Sequence, residues 1–405
     1  MKKKVVLSIF IILISFLQNS CGSKRISKKI IVASSGKIES LDPARANTLK
    51  AIQLISSLGD TLYELNSNGE LIPELASGMP VISKDRLQIT INLRKNVFFH
   101  DGTAFNSNAM KFTFDRFKRI GTMNYILGNK IKSIETPSEY SVIINLNKPS
   151  SSLNGLLTSV NLTPISPTFY KQYSDKFLNE KFVGTGKYVL TSFSNEVQSI
   201  DPYLNYWGEK PLNNGVNFVG YSNSSSLFGA LKSKQIDVLL SNSIDDSQRK
   251  SLNNLSKNKQ FNEGNSPFTE LSFISLKTSS YPLSNLNLRL ALAKSLNRKL
   301  ISEKVSYGLR KPSRSIIPPI LKKDNQELWP KYDYLEARRL LQKENYCNGN
   351  ILKIPLTYRS NVPADKLIAL TWQEEIKSSL KDCIDIELNG VESTTVYKNL
   401  SLGIY

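Results

Sequence analysis

Residues 87–103, Leu87-Gln88-Ile89-Thr90-Ile91-Asn92-Leu93-Arg94-Lys95-Asn96-Val97-Phe98-Phe99-His100-Asp101-Gly102-Thr103, carry the densest structural signal in the chain. Leu87, Ile89, Ile91 and Leu93 alternate with Gln88, Thr90 and Asn92, the period-two pattern of a half-buried strand. Asp101-Gly102 supplies a turn. Asn106 or Ser107 can then cap a helix that places Met110, Phe114 and Phe117 on one face. Val142, Ile144 and Leu146 repeat the alternation before Pro149 stops the strand. Short strands around one helix, closed by Pro164 and Pro167, predict a small α+β domain.

Upstream, Lys29 to Ala33 reads as a buried strand. Leu41-Asp42-Pro43-Ala44, a polar loop from Arg45 to Thr48 and a helix over Leu49 to Tyr63 follow it. Downstream, Gly184-Thr185-Gly186 opens a new unit with strands at Tyr188 to Phe193, Val197 to Asp201 and Val216 to Tyr221. A Tyr206-Trp207-Gly208 turn, a helix at Ser225 to Lys234 and a short apolar run at Ile236 to Leu239 complete it. Gln248 to Asn265 is polar and Asn-rich, the composition of a surface stretch. Leu271 to Leu276 reads as a strand, and Leu292, Leu296 and Leu300 line a helix after Pro282. Tyr334 to Asn345 reads as a charged helix. Strands at Ile351 to Tyr358 and Ile384 to Leu388 flank a helix whose Ile368, Trp372, Ile376 and Leu380 recur at every fourth position, a βαβ unit. Leu402-Gly403-Ile404-Tyr405 is expected to enter a further strand.

At 405 residues the chain suits two or three domains. It opens as an export leader: Lys2, Lys3 and Lys4, an apolar run from Val5 to Leu17, then Ser20 before Cys21-Gly22. That run is short for a membrane span. Cys21 at the processing point suggests lipid attachment, although Gln18 occupies the position where an aliphatic residue is usual and Leu17 sits one earlier. A plain cleaved leader is the alternative. Of the cysteines only Cys347 and Cys383 lie beyond it. The turns entering the two parallel strands share one sheet edge, so this pair is expected either to be a disulfide or to remain two thiols; an exported chain favours the bond. The net charge is +19. The basic residues are scattered, with none of the clustering of a nucleic-acid face, and the richness in Lys, Asn, Ile and Ser is compositional.

Several stretches taken in order resemble the family 5 extracellular solute-binding proteins, the peptide-, nickel- and oligosaccharide-binding class of ABC importers. They are Ser40-Leu41-Asp42-Pro43; Leu75-Ala76 with Leu87 to Arg94 and Val97 to Thr103; Val183-Gly184-Thr185-Gly186-Lys187-Tyr188; Asn205-Tyr206-Trp207-Gly208-Glu209-Lys210-Pro211; and Leu288-Arg289-Leu290-Ala291-Leu292 with Asn297-Arg298. Lys187 departs from the proline usual in its block, and Asn297 from an acidic residue. The resemblance implies an α/β, bilobal periplasmic-binding-protein-like fold (type II) with an extra small α+β domain inserted in lobe I. Boundaries would be 1–20 for the leader, 21–62 and 183–270 for lobe I, 63–182 for the insertion and 271–405 for lobe II. Family members usually continue past the equivalent of Tyr405, so the second lobe is expected to be incomplete. The missing part would include the region where peptide-binding members place an Asp for the ligand's amino group.

The resemblance implies a receptor without catalysis or cofactor. It would be a monomer in the periplasm or cell envelope, held there by lipid on Cys21, that closes on a small solute, peptide by default, and delivers it to a membrane permease. A nickel chelate, haem or oligosaccharide remains open. A secreted hydrolase acting on peptide or glycan would need a convergent acid–base or nucleophilic set, and His100, the one histidine, sits in a turn. An envelope protein that keeps the fold without transport is a third reading. Ligand contacts should come from loops at strand ends facing the interlobe cleft: Arg45, Asn47 and Thr48; Tyr125 and Asn161 from the insertion; Tyr358, Arg359 and Asn361 from lobe II. Arg45 and Arg359 suit ligand carboxylates, which a guanidinium binds with two parallel hydrogen bonds. No metal site is expected, and Trp207 and Trp372 are expected in the core.

Overall fold

The computed structural model describes residues 29–405 except 123, 125–129, 151–154, 156, 241–242, 265–270, 314 and 318–327. Cys21 and Tyr125 therefore lie outside the described residues.

Strand β1 (Ile30–Ser35) leads through the loop at 36–48 into helix α1 (Leu49–Leu58), whose first turn is capped by Thr48 Oγ1 accepting from Ala51 N at 3.4 Å. The expectation of a helix to Tyr63 is corrected: α1 stops at Gly59, and Tyr63 starts strand β2 (Tyr63–Leu65), paired antiparallel with β3 (Leu71–Pro73). The apolar spacing of Leu62 fits the helix, but Asp60 is drawn into buried hydrogen bonds that a continuing helix would deny it.

Next come β4 (Val81–Ile82), β5 (Gln88–Asn92), helix α2 (Ser107–Ile120), β6 (Ile131–Ser138) and β7 (Ser141–Leu146), in an antiparallel sheet of order β4-β5-β7-β6. Asn106 caps α2, its Oδ1 accepting from Ala109 N at 3.1 Å. The alternation decides which sheet face is buried: Ile89, Ile91, Val142 and Ile144 pack with Phe99, Met110, Phe114 and Phe117 in one apolar cluster. Strand β6 was not expected, because Lys132, Ser133 and Glu135 dilute its alternation. After the short helix α3 (Pro167–Tyr170), the chain turns back at Gly184-Thr185-Gly186.

Strands β8 (Tyr188–Phe193), β9 (Val197–Pro202) and β10 (Val216–Tyr221), helix α4 (Ser224–Lys232) and β11 (Val238–Leu239) follow. Together with β1 they form a sheet of order β11-β1-β10-β9-β8, in which β1 runs parallel to both β10 and β11, with Ile30 opposite Val216. Leu54, Ile55 and Leu58 of α1 cover one face with Ile200 and Phe218, while Leu227 and Leu231 of α4 cover the other with Ala33. The polar stretch from Gln248 lies at the surface as expected, and its first part is helical: α5 (Asp246–Lys257) starts with a reciprocal cap between Asp245 and Gln248.

The C-terminal unit contains α6 (Leu286–Ser295), α7 (Arg298–Ser306), α8 (Tyr334–Lys343), β12 (Leu352–Arg359), α9 (Pro363–Ser379), β13 (Ile384–Val391) and α10 (Ser393–Ser401). The expected single helix through Leu292, Leu296 and Leu300 is two, because Asn297 caps α7 by accepting from Leu300 N at 3.0 Å. Strands β12 and β13 pair in parallel from Leu352–Ile384 to Arg359–Val391, with α9 crossing over. Leu292, Leu341, Ile354, Trp372 and Ile386 share one core. Cys347 and Cys383 form a disulfide where both strands begin. Two strand expectations fail. Residues 271–277 carry no strand, although Ile274 and Leu276 pack on this core, so their apolar pattern reports burial rather than pairing. Residues 402–405 follow α10 as a turn, where Lys277 Nζ donates to the carbonyls of Gly403 (2.9 Å) and Ile404 (3.1 Å). Asp246, nearly inaccessible, ties α5 to the C-terminal unit by accepting from Arg310 Nε at 2.9 Å as well as from Arg249 at 3.1 Å.

Candidate functional site

The loop after β1 lies at the carboxyl end of that strand, where open α/β sheets place ligands. Its shape follows from Asp42, whose side chain is fully buried. Asp42 Oδ1 accepts from Ala44 N at 3.1 Å and turns the chain locally. Arg116 of α2 grips both carboxylate oxygens, at 2.5 and 2.7 Å, and extends to Asp175 Oδ1 at 2.9 Å. Arg45 donates from Nε to Asp42 Oδ2 at 3.0 Å and from Nη2 to the Asp175 carbonyl. Asn161, also buried, donates from Nδ2 to the carbonyls of Pro43 (2.7 Å) and Ala46 (2.8 Å). Of the residues expected to meet ligand here, Arg45 and Asn161 are thus engaged within the protein. Thr48 caps α1, and Asn47 is half-exposed between them.

Sequence reasoning missed Lys50. It sits in the first turn of α1, buried, with Nζ donating to the Gly36 carbonyl at 3.2 Å. A Cβ on Gly220 would lie 2.9 Å from that nitrogen, so glycine at the end of β10 makes room for it. Burial brings its pKa down to about 8. The detectable signal was a lysine at the start of a helix, where an ammonium opposes the helix dipole.

A second polar cluster joins α1 to the insertion. Asp60 accepts from Trp207 Nε1 (2.9 Å), Thr185 Oγ1 (2.9 Å) and Tyr206 OH (3.1 Å). Burial raises its pKa, and these three donors oppose the rise. Glu74 Oε2 accepts from Thr61 N at 3.0 Å and from Thr61 Oγ1 at 3.1 Å. Burial, and then the charge of Asp60, push Glu74 up to about 7. His100 Nε2 lies 2.9 Å from the Gly186 carbonyl, its Nδ1 is buried without a partner, and burial lowers its pKa. Its Nε2 is thereby engaged within the protein. Beside the cluster a cavity of about 300 Å³ is lined by Ser56, Gly59, Thr61, Glu64, Leu65, Glu74, Thr158 and Val160. None of the described residues chosen from sequence lines it.

In the C-terminal unit, Arg359 ends β12 and pairs with both oxygens of Asp365 at 2.6 and 3.1 Å. Its Nη1 donates to Tyr397 OH at 3.0 Å. Asn361 Oδ1 accepts from Ser393 Oγ (2.6 Å) and Ser393 N (3.2 Å), holding the start of α10. Tyr358 lies over Gly390 of the neighbouring strand. Among the described residues no hydrogen bond or ion pair links this set to the loop at 36–48. No group of three or more potential metal ligands occurs there, and no helix is long and apolar enough to cross a membrane.

Two α/β units with separate cores, one carrying an inserted α+β domain, with polar loops at strand carboxyl ends, describe a type II periplasmic binding protein. A profile of the bacterial extracellular solute-binding proteins, family 5, matches residues 70–403, and the chain belongs to that family of ABC-importer receptors. It is 26% identical over 360 residues to the glutathione-binding protein GsiB of Escherichia coli O6:K15:H31 (strain 536 / UPEC), spanning 88% of this chain and 69% of that protein. The structure of AgaA from A. tumefacien R10, in complex with agropinic acid, superposes with a TM-score of 0.79 at 24% identity, covering 93% of this chain and 75% of AgaA. DppA from Helicobacter pylori, in complex with the peptide STSA, gives 0.75 at 22% identity, covering 91% and 75%. These relatives are binding proteins rather than enzymes.

Proposed function

We propose that the chain captures a short peptide, or a comparable solute bearing amides and a carboxylate, between its two major units and passes it unchanged to an inner-membrane permease. Lobe I would comprise 21–62 and 183–270, the insertion 63–182, and lobe II 271–405. The observation that carries the ligand class is Lys50: a buried ammonium at the carboxyl edge of the lobe I sheet, with one hydrogen bond to Gly36, beside Asn47 and Thr48. An ammonium has three donors, so a ligand carboxylate would complete its shell. It takes the part expected of Arg45 and Arg359. Asn47, Thr48, Tyr125, Tyr358 and Asn361 remain as amide contacts. Names of relatives that include glutathione, a tetrapeptide and an opine acid agree in their carboxylates and amide or amine nitrogens.

Calorimetric titration with glutathione and with Ser-Thr-Ser-Ala tests this, followed by mass spectrometry of the recovered ligand. Saturable binding with the ligand intact is expected, and Lys50→Met should weaken it about tenfold or more, since one charge-assisted hydrogen bond is worth roughly 1.5–3 kcal/mol. Cleaved peptide would point to a hydrolase instead. Binding unaffected by Lys50→Met would remove the carboxylate assignment. Acylation of Cys21 after removal of 1–20 belongs to the same proposal, and the mass of the mature N-terminus checks it.

A further inference from the structure

The ligand loop is held almost entirely from outside its own lobe. Along residues 40–46, Ser40 Oγ donates to Asn179 Oδ1 (2.8 Å) and Leu41 N to the Asn179 carbonyl (2.7 Å). The Ala44 carbonyl accepts from Thr122 N (3.0 Å), and the carbonyls of Pro43 and Ala46 accept from Asn161. Asp42 is gripped by Arg116, whose guanidinium lies 5.3 Å from the Tyr170 ring centroid. Every one of these partners falls between 63 and 182.

We propose that the inserted domain is the template of the ligand loop, with Arg116 and Asn161 as the positioning residues that set the affinity of Asn47, Thr48 and Lys50 for ligand. This rests on the peptide-receptor reading above. Neither residue needs to touch the solute. Both side chains are buried, and their donors point into the loop from its inner side. An aspartate with no exposure and a bidentate guanidinium leave the loop one low-energy shape, because separating them strands two charges without water. Asn161 then closes the two carbonyls flanking Arg45, which would otherwise need solvent. Preorganisation of this kind lowers the ordering cost of binding. It also accounts for Arg45, whose guanidinium is spent inside the brace rather than on a ligand.

The test uses the full chain with Arg116→Lys, which keeps the charge but loses the fork, and Asn161→Ala. Two readouts are taken: amide hydrogen exchange over 42–52, and affinity for glutathione and Ser-Thr-Ser-Ala by calorimetry. Exchange in β12 and β13 reports whether the rest remains folded. The expected result is faster exchange confined to the loop and the start of α1. Affinity should fall about fivefold for Asn161→Ala and about tenfold for Arg116→Lys, as loss of one or two buried hydrogen bonds implies. Unchanged loop exchange in both variants would overturn the template. Faster exchange with unchanged affinity would overturn the link to binding. If the wild-type chain binds neither probe, the receptor reading fails and the affinity claim falls with it, while the exchange data still decide whether the insertion shapes the loop.

Discussion

The junction between lobe I and the insertion and the core of the C-terminal unit are built from opposite materials. At the junction, buried polar groups pair across long stretches of sequence, Asp42 with Arg116 and Asp60 with Thr185. The C-terminal core is apolar, with Leu292, Leu341, Ile354, Trp372 and Ile386 in contact and a disulfide where its two strands begin. An apolar core tolerates many shapes, whereas buried polar groups tolerate only those that keep every partner. The difference teaches that buried polar pairs set the geometry of the junction, whereas the C-terminal unit is held by apolar contact and a covalent tie.

The strongest way to break that contrast is at the disulfide. Replacing Cys347 and Cys383 together by Ser should destabilise the C-terminal unit by about 3–4 kcal/mol, the chain-entropy value for a loop of this length. Differential scanning calorimetry should show its transition fall while that of lobe I stays in place. A uniform drop in both would mean that the units unfold as one.

Gly186→Ala sharpens the comparison from the other side. A Cβ there would lie 2.4 Å from the Leu58 carbonyl carbon and 2.5 Å from Gly59 N, both backbone atoms that cannot rotate away. Overpacking of this kind costs about 1–3 kcal/mol. Chemical denaturation followed by tryptophan fluorescence, with Trp329 and Trp372 replaced by Phe so that Trp207 alone reports, should register the loss at the junction; no change would mean that the two segments separate freely.

Glu74→Gln is the smallest effect and the most diagnostic, because it appears only with pH. The folded pKa of Glu74 is raised from 4.5 to about 7, so its proton is bound more tightly in the folded state. Its contribution is full below the unfolded value and is lost as pH rises through 7. Glutamine imitates the protonated form, so the gain in stability at pH 8 should exceed that at pH 5 by about 2 kcal/mol. The C-terminal unit should show no such dependence. An equal effect at both pH values would place the Glu74 carboxylate in contact with water.

Periodicity made the scaffold legible. Ile89, Ile91, Val142 and Ile144 alternate because one sheet face is buried, and Trp372 and Ile376 repeat because one helix face is. Local pattern failed where a partner distant in sequence decides the outcome. Asp60 ends α1 through bonds to Thr185 and Trp207, and residues 271–277 have strand composition without a strand beside them. For the candidate loop, the sequence showed its position after a strand but not its internal bonds. Arg45 and Arg359 look from sequence like ligand anchors, but Asp42 and Asp365 hold them. Lys50 lay hidden in a helix start because its burial comes from Gly36 and Gly220, on other elements.

The pairing of Ile30 with Val216 has a consequence for biosynthesis. The first strand of the sheet cannot dock until the chain has been made as far as Tyr221, with the whole insertion in between. Contacts so remote in sequence form slowly. Closure of this sheet is therefore a late event in synthesis, whereas the antiparallel sheet of the insertion finds its partners among nearby residues.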